Sequence, residues 1–130
     1  MTLETLLTIG GIFHLVFLLF HLMFWKLFKW ESQLKKLHPI NKGAMRAMNI
    51  ILIAIFAIFA VISLGFQEEL LTSRLGFFLI VSIASVWLLR TIIQIPLFTL
   101  QAVASKVFFI TTLIGASIYA YIGLALYKQF

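Results

Sequence analysis

The 130-residue chain has no cysteine and only two prolines, and acidic residues are scarce, four against ten lysines and arginines. The lack of cysteine excludes disulfides, thiolate metal sites and cysteine nucleophiles. The acids that do occur, Glu4, Glu31, Glu68 and Glu69, lie at the ends of apolar runs or between them. No carboxylate within a run is therefore available as a base, nucleophile or metal ligand. Also missing are the H-E-x-x-H, G-x-S-x-G, phosphate-loop and dinucleotide fingerprints.

What the chain has in abundance is hydrocarbon. Hydrophobic residues make up 63% and charged residues 11%, with a mean hydropathy of +1.13, far from the roughly 45–50% and 25% of soluble domains. Crossing a bilayer takes about 20 apolar residues per helix. The pattern predicts an all-α integral membrane protein, a four-transmembrane-helix bundle forming one transmembrane domain over residues 1–130, with spans at about 6–28, 45–66, 75–95 and 107–127. Pro96 is expected to end or kink the third span. A strand barrel would show short alternating segments, and these runs are continuously apolar. The N-terminus carries Glu4 in place of a basic region, and no A-x-A site follows, so the first span is expected to stay in the mature protein.

Charge asymmetry sets the expected direction. Lys26, Lys29, Lys35, Lys36, Lys42 and Arg46 surround the first connection with one acid, Glu31, while the second, QEELLTSR, holds Glu68, Glu69 and Arg74. The positive-inside rule makes the first connection cytoplasmic and places both termini on the other side. Trp25 and Trp30 fall at that border, as an aromatic belt predicts. Leu27, just before the connection at 29–44, and Trp30, Leu34 and Leu37 within it recur at helical spacing, and Glu31 and Lys35 form an i,i+4 pair. An amphipathic cytoplasmic helix ended by Pro39 is expected there, its basic residues facing anionic lipid head groups. The same placement turns the formal charge of +6 toward lipid and away from nucleic acid.

Small residues cluster as Ala54, Ala57 and Ala60 in the second span and as Gly115, Ala116, Ser117, Ala120 and Gly123 in the fourth. Such residues let helices approach closely in lipid. A tight contact of the fourth span is expected, within the bundle or with a second copy or a membrane partner subunit.

The first span carries two histidines. Gly10, His14, Phe17, His21, Phe24 and Phe28 share one helical face. Counting along the other spans brings Arg90 to the depth of His21, with Trp87 above and Gln94 below, Asn49 level with Gln94, and Tyr119 near His14. These seven, His14, His21, Arg90, Gln94, Asn49, Tyr119 and Trp87, are the candidate ligand or proton path. A neutral imidazole relays a proton or bonds a carbonyl or hydroxyl; equally, it serves as a hydrogen-bonded structural group. For Arg90, snorkelling, an interior hydrogen bond and contact with an anion remain open. The histidines stand about 10 Å apart along the helix, whereas two nitrogens on one zinc must each lie within about 2.1 Å of it. They cannot share a metal ion or one haem. No metal or cofactor is predicted; a haem is the alternative, needing a second protomer or a methionine such as Met48.

HLMFWKLFKW followed by LKKLHPINKGAMRAMNI, and later EELLTSRLG, resembles uncharacterised small bacterial membrane proteins, and the resemblance covers most of the chain. It implies the bacterial cytoplasmic membrane and supplies no activity. RAMN, residues 46–49, is similar to the arginine and asparagine opening the second span of the MAPEG family of glutathione-dependent membrane enzymes, although the spacing differs and the following glutamate is absent. In size and span number the chain is also similar to the small multidrug resistance transporters, without the buried glutamate of their first span. The expected function is a small transporter, channel or ligand-binding membrane subunit with an intramembrane His/Arg site. The alternatives are a haem-binding redox or MAPEG-like enzyme and an accessory subunit of a membrane complex.

Overall fold

The computed structural model describes residues 1–129. Helix α1 (Leu3–Leu22) starts at Thr2, whose hydroxyl accepts from the Thr5 amide at 3.2 Å and so satisfies one of the free donors of the first turn. Two short turns follow, α2 (Phe24–Leu27) and α3 (Trp30–Gln33), and then a 3-10 turn at Leu34–Lys36. Helix α4 (Pro39–Gly65) leads through α5 (Gln67–Thr72) to α6 (Arg74–Phe98), and α7 (Val103–Leu126) closes the chain. Among the described residues α1, α4, α6 and α7 are long and apolar enough to cross a membrane. The protein is an all-α four-helix membrane bundle.

Helix α1 packs against α4 on one side and α7 on the other, and α6 packs against α7 and the short α5. Leu7, Ile80, Ile83, Trp87, Tyr119 and Ile122 form the buried core. The outer surface is hydrocarbon as well: Val16, Leu19, Ile51, Ile58, Leu89, Ile92, Ile114 and Leu124 are exposed. In water that surface would be untenable, but in a bilayer it is the side that meets acyl chains.

Close approach depends on glycine at two positions in particular. A Cβ on Gly115 would lie 2.5 Å from the Phe13 ring and 3.3 Å from that of Trp87, so α7 approaches α1 and α6 only without one. At Gly76 a Cβ would collide with the Glu69 carbonyl and the backbone of Leu70, which is where α5 lies against α6. Gly115, Ala116, Gly123 and Ala60 are buried, whereas Ala54, Ser117 and Ala120 are exposed.

The first connection corrects the sequence reading. The chain breaks after Leu22 and again at Lys29, which adopts a left-handed conformation (φ 49°, ψ 44°). One amphipathic helix therefore does not form, and among the described residues Glu31 and Lys35 make no ion pair. The break has an apolar cause. It buries Trp30 and Leu34, at 8% and 2% exposure, while Leu27 and Leu37 stay at 49% and 37%. Pro39 opens α4 instead of ending a helix, because its missing amide is free to be absent in a first turn. Residues 39–44 thus belong to a helix and not to a loop. Pro96 neither stops α6 nor marks its end, since α6 continues to Phe98 and stops at Thr99, whose φ is 55°.

Candidate intramembrane polar site

The bundle interior gathers the polar side chains into separate stations along its depth. The first centres on His14, wholly buried with Tyr119 and Ser63. Trp87 Nε1 donates to His14 Nε2 at 2.9 Å. An indole nitrogen only donates, so His14 Nε2 must present its lone pair and the ring proton sits on Nδ1. Nδ1 then donates to the Tyr119 hydroxyl at 3.2 Å, and that hydroxyl donates onward to Ser63 Oγ at 2.6 Å. Every polar atom of the histidine ring is engaged. The hydrogen-bond chain ends at Trp87, whose N–H accepts nothing, and His14 has no lone pair left for a metal or ligand.

Aromatic rings enclose this station. Trp87 lies edge-on to Phe13 and Phe17, with ring centres 4.8 and 4.6 Å apart, and stacks on Phe56 at 5.6 Å. Gly10 leaves room for Tyr119, since a Cβ there would stand 2.5 Å from its hydroxyl oxygen. At the start of α5, which bears Glu68 and Glu69, Gln67 Nε2 donates to the Ser63 carbonyl at 3.2 Å and to Thr8 Oγ1 at 3.0 Å. Below Trp87, the Thr91 hydroxyl bonds the Trp87 carbonyl at 2.8 Å and the Thr112 hydroxyl at 3.0 Å.

The second station joins α1 to α4. His21 Nδ1 donates to Asn49 Oδ1 at 2.8 Å, and Asn49 Nδ2 donates back to the His21 carbonyl at 3.2 Å. The ring stacks on Phe24 with centres 4.2 Å apart. Its Nε2 makes no hydrogen bond among the described residues, which leaves it the one free ring nitrogen of the two buried histidines.

The third station is Arg90 on α6. Its Nη1 donates to Gln94 Oε1 at 2.7 Å, Gln94 Nε2 donates to Ser105 Oγ at 2.8 Å, and Ser105 Oγ donates to the Thr99 carbonyl. The guanidinium stands over two rings, 5.0 Å from the centre of Phe108 and 5.4 Å from that of Phe98. It is half-buried. No carboxylate among the described residues pairs with it.

All seven sequence candidates therefore line the interior, though not as one joined track. Trp87 and Tyr119 meet His14, Asn49 meets His21 and not Gln94, and Gln94 meets Arg90. Arg90 reaches along the helix to Gln94, one turn nearer the C-terminal end of α6. Ser63, Thr91, Thr112 and Ser105 complete the stations without having been singled out from the sequence. Among the described residues no group of three or more histidine, cysteine or acidic side chains gathers that could hold a metal ion. Of the basic residues at the first connection, Arg46 lies over the Trp25 ring at 4.7 Å, while Lys26, Lys29, Lys35 and Lys36 are exposed and Lys42 is partly covered.

Searches against family models, curated proteins and solved structures find no match to this chain.

Proposed function

We propose that this integral membrane protein binds an amphipathic anion within the bilayer, as a ligand-binding membrane subunit or small transporter, with Arg90 as the anion contact and His21, at a similar depth by residue count, as a second polar contact. One observation carries the reading: a half-buried guanidinium that stands over the Phe98 and Phe108 rings spends one donor on a neutral amide and has no carboxylate partner among the described residues. Arginine offers five donors. An arginine within a span costs roughly 2.5–3.5 kcal/mol on insertion scales, and such residues mark ligand or ion paths by default. The aromatic walls suit an apolar body attached to the anionic head, and the free Nε2 of His21 suits a protonated oxygen of the same ligand. The location proposed with it is the bacterial cytoplasmic membrane with both termini outside the cytoplasm, supported by the basic first connection.

The test uses thermal unfolding of the purified protein in detergent with sodium acetate, octanoate or decanoate. Stabilisation should grow with chain length for the wild type, following ligand linkage, and vanish in Arg90→Gln. Lys106→Gln, which removes an exposed cation nearby in sequence, should keep it. The effects of His21→Ala and Arg90→Ala on decanoate binding should be non-additive, because the two groups act on one ligand. Equal stabilisation of wild type and Arg90→Gln defeats the proposal. Decanoate-dependent flux in proteoliposomes decides between a transporter and a binding subunit.

A further inference from the structure

The broken connection between α1 and α4 builds a polar concavity, remote from Arg90 in sequence. Trp25, Lys26, Lys29, Glu31, Ser32 and Lys35, all exposed, line an open surface concavity of about 470 Å³. On a continuous helix, at about 100° per residue, Lys26 and Lys35 would point in opposite directions, nine positions apart. The left-handed turn at Lys29 brings them to one pocket. A residue with a side chain is rarely held in that conformation, and such strain persists where the surroundings over-determine it, often at ligand clamps. The wall is braced as well: the Arg46 guanidinium lies over the Trp25 ring at 4.7 Å, its Nε buried and without a partner. Three lysines face one glutamate in the lining, so the pocket favours an anion.

We infer that this pocket is a discrete binding site for the phosphate of one anionic phospholipid headgroup, held by Lys26, Lys29 and Lys35 with Trp25 at the glycerol level. The location at the end of a membrane-spanning helix puts headgroups beside it, and tryptophan favours that depth. A diffuse basic surface would attract anionic lipid without caring which lysine is lost. A pocket makes the lysines unequal. Lys36 is exposed in the adjoining 3-10 turn and does not line it.

Native mass spectrometry of the full-length protein, titrated separately with phosphatidylglycerol, phosphatidylcholine and inorganic phosphate, tests this. Wild type should retain a single phosphatidylglycerol saturably and no phosphatidylcholine. Lys29→Asn keeps a residue tolerant of the left-handed turn and removes the charge; it should weaken retention about fivefold or more, and Lys36→Asn less than twofold. Lys26→Gln, which leaves the turn untouched, should weaken it like Lys29→Asn. Arg90→Gln should leave it unchanged, which separates this site from the intramembrane one. Equal losses for Lys29→Asn and Lys36→Asn, no loss in either Lys29→Asn or Lys26→Gln, or loss in Arg90→Gln would overturn the pocket. Retention of inorganic phosphate without phosphatidylglycerol would overturn the lipid as its source.

Discussion

Ser63 and Ser82 look alike in the sequence, each a hydroxyl flanked on both sides by apolar residues, yet the structure gives them opposite work. Ser82, Ser85 and Ser117 donate to the carbonyl four residues earlier, at 2.7, 2.8 and 2.8 Å, the usual way a helix absorbs a hydroxyl. Ser63 instead receives the Tyr119 hydroxyl at 2.6 Å. Nothing in the residue type reports which of these happens, so Ser63 was not legible as part of the His14 station. Tyr119 and Trp87 were, because large polar-tipped rings at matching depth have few places to put their donors. Replacing Ser63 by Ala strands the buried Tyr119 donor and should cost about 1–3 kcal/mol. Ser82→Ala should shift the thermal midpoint in detergent hardly at all; equal shifts would deny the network its structural role. Gly10→Ala crowds Tyr119 and should cost about 1–3 kcal/mol as an overpacking change. Combined with Tyr119→Phe, whose hydroxyl is the closest atom to the added methyl, the two losses should fall short of their sum, which a double-mutant cycle measures.

The long helices follow from apolar run length and capping, so their existence was readable, while their breaks were set by burial that no periodicity displays. Leu27, Trp30, Leu34 and Leu37 fit one helical stripe, but the chain buries only Trp30 and Leu34 and turns at Lys29 to do so. Pro39 carries a similar ambiguity: it ends a helix before it or starts one after it, and the His38 ring nitrogen accepting from the Ile40 amide at 3.4 Å marks the start. The α5–α6 corner rests on a sharper requirement. Gly76→Ala sets a methyl against backbone, which cannot rotate away as a side chain can, and should cost about 3 kcal/mol. Unfolding midpoints would show it, with Gly43→Ala as control because a Cβ there meets nothing within 4 Å.

At the scale of the whole molecule, four polar-cored helices define an inside and an outside but no direction across the bilayer. Direction rests on charge: six basic residues around the first connection against Glu68 and Glu69 in the second, which the positive-inside rule reads as a cytoplasmic first connection. The chain has no cysteine, so a single introduced thiol reports its own side of the membrane. The structure guides where to put it. Ser73 is a poor choice, since its hydroxyl accepts from the Gly76 amide at 2.9 Å and caps α6; Ser32 lines the basic pocket. Gln33 and Glu68 are exposed, and neither side chain makes a hydrogen bond among the described residues. In intact cells an impermeant maleimide should label Glu68→Cys and spare Gln33→Cys, with Gln33→Cys reacting only after the membrane is opened. Labelling of both from one side would remove the common depth scale on which Arg90, His21 and the basic pocket are assigned to the cytoplasmic half, and the reverse pattern would place the pocket and both proposed anion contacts toward the opposite leaflet.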